Sequence, residues 1–166
     1  DAEKLSLSIT QEFPEHQFAW KVLAVVLKLT GRISESLVAS QKSMQLDPLD
    51  AEAHNNLGVL LKEQGRTKEA EASYAQAIVL KPDYVQAHYN LGVLLQEVER
   101  LDEAETSYNH ALALKPDFTD ALQNRWMILF SQKRYEVALK DADLITSKGN
   151  RAFDLITLYA LSLIHI

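Results

Sequence analysis

The chain has 166 residues, 17 basic and 23 acidic side chains, a formal charge of −6 and no cysteine. No helical stretch carries a basic stripe, which argues against nucleic acid as a partner, and the lack of cysteine rules out disulfides and thiol catalysis within the chain. The most apolar segment, Phe153 to Ile166, falls short of the roughly 20 apolar residues that cross a bilayer, and Lys21 and Lys28 interrupt the run from Phe18 to Leu29. No membrane partner is expected, and a cytoplasmic location is the working expectation.

All four prolines, Pro14, Pro48, Pro82 and Pro116, stand 34 residues apart. A fixed period of that length marks stacked helical repeats, and proline ends a helix at the same point of each one. Taken in order, residues 1–16 hold one helix. Residues 17–50 carry Trp20, Leu23, Ala24 and Leu27, then Ser36, Ser40 and Ser43 on what reads as a looser second helix. Residues 51–84 hold two apolar stripes at helical spacing, Leu57, Leu60 and Leu61, then Ala70, Tyr74, Ala77 and Ile78, separated by the breaker Gly65. Residues 85–118 match that block without a gap at 20 of 34 positions. Residues 119–152 keep the register through Leu122, Leu129 and Ala138 but carry Arg125, Trp126 and Asn150 at otherwise regular positions. Phe153 opens one further apolar helix with Leu155, Ile156, Leu158, Tyr159 and Leu163.

Glycine inside a helix costs roughly 1 kcal/mol against alanine. Gly58 and Gly92 therefore predict a neighbouring helix too close for a side chain, with Tyr74 and Tyr108 filling the gaps beside them.

Numbered 1 to 34 within each block, these residues resemble the tetratricopeptide repeat: Leu57 and Leu91 at position 7, Gly58 and Gly92 at 8, Ala70 and Ala104 at 20, Tyr74 and Tyr108 at 24, Ala77 and Ala111 at 27, and proline at 32. The resemblance implies an all-α fold, an α-solenoid of antiparallel helix pairs in a right-handed superhelix. It would hold about four repeats, with half-repeats at both ends. Residues 1–16 then supply the second helix of a truncated repeat, 17–50, 51–84 and 85–118 are full repeats, 119–152 is a degenerate one, and 153–166 is the first helix of another truncated repeat. On this reading the chain is a piece of a longer protein.

Constellations that carry chemistry are not found. There is no phosphate loop, HExxH or GxSxG. His54 and His88 recur at position 4, but two histidines fall short of the three or four ligands zinc takes, and Trp20 and Leu122 stand at the same position. Glu69 with Glu71 and Glu103 with Glu105 read as solvated helix faces. No catalytic, cofactor-binding or metal residue is assigned, and the segment itself is not expected to be an enzyme.

Binding remains. In tetratricopeptide arrays the first helices line a concave groove, and the resemblance places there Asn55, Asn56, Val59 and Lys62 of the block starting at Ala51. From the next two blocks it adds Tyr89, Asn90, Val93 and Gln96, then Gln123, Asn124 and Met127. Asn56, Asn90 and Asn124 recur at position 6, and an amide that both donates and accepts can pair with the backbone of an extended peptide. The pattern is similar to the asparagine ladder of O-linked N-acetylglucosamine transferases. The carboxylate clamp that grips chaperone tails is met only by Lys21 and Asn56. Val25, Gln86 and Asn90 stand where it wants asparagine and two basic residues.

Three functions are thus expected in turn: a protein-interaction scaffold binding an extended peptide, the substrate-recruiting arm of a larger glycosyltransferase or other modifying transferase, and self-association as a homodimer through the apolar helix Phe153 to Ile166.

Overall fold

The computed structural model describes residues 2–147, and among them every regular element is helical. The helices are α1 (Ala2–Glu12), α2 (Gln17–Leu29), α3 (Ile33–Leu46), α4 (Ala51–Glu63), α5 (Thr67–Leu80), α6 (Val85–Glu97), α7 (Leu101–Leu114), α8 (Thr119–Ser131) and α9 (Tyr135–Thr146). The chain is an all-α array of helix pairs of the α-solenoid class. It divides after Ala87 into two compact units.

In the first unit α2 packs on α3 and α4 on α5, with α1 against α2 and α3 against α4. The turn before each pair is tied by the side chain at position 4. Trp20 Nε1 donates to the Pro14 carbonyl at 2.7 Å, and His54 Nε2 meets the Pro48 carbonyl at 2.9 Å. A carbonyl can only accept, so His54 carries its proton on Nε2 there. Asp50 caps α4, its Oδ1 accepting from the Glu52 and Ala53 amides at 2.9 and 3.1 Å. The serines of α3 do not loosen it. Ser36, Ser40 and Ser43 are all buried, and the Ser36 hydroxyl donates to the Ala24 carbonyl at 2.6 Å.

In the second unit α7 packs on α8 and α8 on α9, and Tyr108 of α7 lies against Gly92 of α6. Leu122 holds position 4 of α8 as a buried apolar residue. Trp126, Leu129, Ala138 and Ala142 form one cluster, with Phe130 against it.

First and second helices are joined through one residue in the left-handed region: Gly31 at φ 78°, Gly65 at 71°, Glu99 at 61° and Lys133 at 60°. The first two suit the turn. At the other two a Cβ is strained by about 1–2 kcal/mol. Glu99→Gly is therefore expected to raise stability by about 0.5–1 kcal/mol after the extra chain entropy of glycine is subtracted. A higher denaturant midpoint at unchanged slope is the expected reading, and an unchanged or lower midpoint would contradict it.

Each second helix opens on an arginine. Arg32, Arg66 and Arg100 each grip the glutamate three residues on, Glu35, Glu69 and Glu103, through two parallel hydrogen bonds of 2.5–2.8 Å. Val137 stands at that place in α9, and Arg134 instead reaches Glu105 of α7 at 2.5 and 3.0 Å. The three pairs within the second helices are largely exposed, so they align the turns more than they add stability.

Candidate functional site

The first helix of each pair carries the residues that sequence reasoning assigned to a groove. On α4, Asn56, Val59 and Lys62 are half-buried, whereas Asn55 is only 3% exposed and lies within the packing. Asn56 and Val59 border a pocket of about 80 Å³, together with Ala24, Val25 and Lys28 of α2, Ser36 of α3, and Leu60. At its rim Lys28 pairs with Glu63 at 2.9 Å.

Beside this pocket the Lys21 ammonium bonds Asp50 at 3.0 Å and Glu52 at 2.8 Å, and Gln17 donates to the same Asp50 oxygen at 2.8 Å. Burial works against the Lys21 charge, but the Glu52 and Asp50 bonds outweigh it and hold its pKa above the usual lysine value. Burial likewise opposes the Asp50 charge, and the bonds from Lys21, the Ala53 amide and Gln17 still bring its pKa below the usual carboxylate value. The one lysine that matches the carboxylate clamp is thus already paired with two carboxylates.

In the second unit Tyr89, Asn90, Val93 and Gln96 of α6 are half-buried, as are Gln123 and Asn124 of α8, and Met127 is 46% exposed. Three of them meet around a residue that sequence reasoning placed in the core. The Tyr108 hydroxyl donates to Gln96 Oε1 at 2.8 Å and accepts from Asn124 Nδ2 at 3.2 Å, and the same Nδ2 stands 3.5 Å from the Tyr89 hydroxyl. Burial pushes the Tyr108 phenol far above the usual tyrosine range, so it keeps its proton at neutral pH and can donate. Burial, aided by the Asp120 charge, also raises Tyr89. Tyr108 is fully buried, and its hydroxyl still reaches the groove residues. The signal was the polar end of an aromatic at a core position, since a buried phenol seeks a partner.

Among the described residues no three histidines or carboxylates gather as a metal site, and no helix is long and apolar enough to cross a membrane. The helix expected from Phe153 to Ile166, with the homodimer built on it, lies outside the described residues, as does Asn150.

Models of the tetratricopeptide repeat match residues 39–72 and 85–118, and a further TPR repeat model matches 60–98. Residues 39–118 of the chain are tetratricopeptide repeats (TPR). Among solved structures, pilF of Pseudomonas aeruginosa superposes with a TM-score of 0.84 at 21% identity, over 99% of this TPR chain and 83% of its own. YrrB, described as a TPR protein with an unusual peptide-binding site, gives 0.80 at 19% identity over 96% and 84%. An O-GlcNAc transferase of Thermobaculum terrenum gives 0.67 at 28% identity, covering 76% of this chain and only 26% of that one. No curated protein sequence matches this TPR chain.

Proposed function

We propose that this TPR chain is a protein-interaction scaffold whose first-helix faces bind an extended peptide segment of a partner protein. The observation that carries the reading is the composition of those faces. Half-buried amides, Asn56 on α4 and Asn90, Gln96, Gln123 and Asn124 on α6 and α8, alternate with the apolar Val59, Val93 and Met127. Amides can meet peptide backbone in either sense, and the apolar residues between them can take side chains. The likeness to YrrB, whose description names a peptide-binding site, supports the same reading.

Asn124 is a poor probe of the groove, because removing its bond to Tyr108 should itself cost about 1 kcal/mol. Peptides selected from a random display library against the full chain should instead bind an Asn56→Ala/Asn90→Ala/Met127→Ala variant at least about tenfold more weakly. The melting temperature of that variant should move by only a few degrees. Equal binding by parent and variant would refute the groove.

A second reading is favoured by one comparison. The 28% identity to a transferase over 76% of this chain fits an arm that presents protein substrates to a modifying enzyme. Both readings use the same groove, and a full reading frame that encodes a transferase domain would separate them.

A further inference from the structure

The three asparagines at position 6 are not equivalent. Asn124 gives its amide to Tyr108, and Asn90 also has a partner. Asn56, half-buried on α4, makes no hydrogen bond among the described residues. Beside it opens the pocket of about 80 Å³ between α2, α3 and α4. An amide able to hold peptide backbone thus stands next to a cavity able to take a side chain.

The α2 side of this pocket differs from the α4 side. Positions 2, 6, 9 and 13 hold Phe18, Val22, Val25 and Leu29 on α2, where α4 has Glu52, Asn56, Val59 and Glu63. Phe18, Val25 and Leu29 are all exposed, so one wall of the groove is a continuous apolar stripe, which marks an interaction surface.

The pocket itself restricts what can enter. Ala24, Val25, Val59 and Leu60 line it with apolar groups. The Ser36 hydroxyl, also in the lining, already donates to the Ala24 carbonyl at 2.6 Å. A polar side chain would therefore give up water without finding a donor there. A carboxylate meets no uncommitted cation, because Lys28 at the rim is paired with Glu63, and Lys21 with Asp50 and Glu52. Size removes the aromatics. A cavity of about 150 Å³ holds the six carbons of benzene, and at the same volume per carbon about 80 Å³ holds about three. That is the isopropyl group of valine.

We infer that this pocket takes the side chain of a valine within the peptide ligand, while Asn56 holds the backbone beside it. The inference deepens the groove reading and rests on it. Since Lys21 and Lys28 are both tied to carboxylates, the valine is an internal residue and not a chain end.

Peptides selected from a random display library against the full chain supply the probe, and a valine should recur at one place in them. Changing it to alanine takes two methyl groups out of the pocket and should weaken binding about tenfold. Phenylalanine there should bind no better than alanine, and amidation of the peptide C-terminus should leave affinity unchanged. In Ala24→Val, which puts two methyl groups of the chain itself into the pocket, the valine and alanine peptides should bind alike. Should that chain fail to fold, Val25→Trp covers the pocket from an exposed position and should have the same effect.

A valine-to-alanine loss that persists in the filled chain, phenylalanine bound as well as valine, or binding lost on amidation would overturn the proposal. Peptides indifferent to the valine change, yet lost with Asn90→Ala/Met127→Ala, would keep the groove and remove the pocket. A library that yields no binding peptide would overturn both.

Discussion

Arg125→Ala is expected to lower stability by about 3–5 kcal/mol, because it strips the cation from a carboxylate buried in the second unit. Asp141 is 1% exposed. Both its oxygens are held by Arg125, Oδ2 by Nε at 2.9 Å and Oδ1 by a guanidinium amine, while another guanidinium nitrogen reaches Asn109 Oδ1 at 2.6 Å. A fork of this kind satisfies the carboxylate in two places, and alanine satisfies it in neither. The pair itself is not expected to be a net stabiliser, since replacing both buried charges by fitting uncharged residues is often neutral or favourable. The regular repeats show the replacement: Leu57 with Ser73, and Leu91 with Ser107, stand at the same two positions. Arg125→Leu/Asp141→Ser should therefore recover most of the loss. Denaturant unfolding of the three chains checks this, and an Arg125→Ala chain as stable as the parent would show that Asp141 finds its partners elsewhere.

Gly92→Leu should be nearly as damaging. Even a single methyl on Gly92 would fall 2.6 Å from Tyr108 Cε1 and 2.8 Å from Cδ1, and the ring cannot step aside. It is fully buried and its hydroxyl is anchored to Gln96 and Asn124. Overpacking of a tight core commonly costs about 1–3 kcal/mol and sometimes more. The break in the Gln96 and Asn124 bonds would add about 1 kcal/mol for each bond lost. Tyr108→Ala alone should also destabilise, by about 3–5 kcal/mol. Combined with Gly92→Leu it should cost less than the sum, because the leucine then enters the space the ring vacates. The repeat from Thr119 already uses that exchange in Trp126 and Ala142. Additive losses in the double variant would mean that the two positions do not share one space.

The fold class was legible because the prolines, the glycines and the paired apolar stripes all repeat at one period, and each has a local cause. Gly58 and Gly92 announced the close approach that Tyr74 and Tyr108 make. What escaped were compensations that join positions distant in the chain. Trp126 read as a departure from the pattern, and only its contact with Ala142 shows that the pair keeps its volume. Arg125 read as a lost leucine, since nothing at residue 125 announces a buried carboxylate 16 residues on. Ser36, Ser40 and Ser43 read as a looser helix, whereas they are buried. At the candidate site, the position-6 asparagines were visible as a period. That Asn124 spends its amide on Tyr108 was not, because the hydroxyl comes from a residue whose ring belongs to the core.

The central claim is that the first-helix faces read peptide, and amide chemical-shift mapping of the full chain with a display-selected peptide tests it most directly. Saturable shifts should gather at Asn56 and Val59 on α4, at Asn90 and Val93 on α6, or at Gln123 and Met127 on α8. Shifts confined to the exposed apolar residues of the second helices, such as Val38 at 64% and Val79 at 71% exposure, would place binding on the opposite side of the helix pairs and contradict the account.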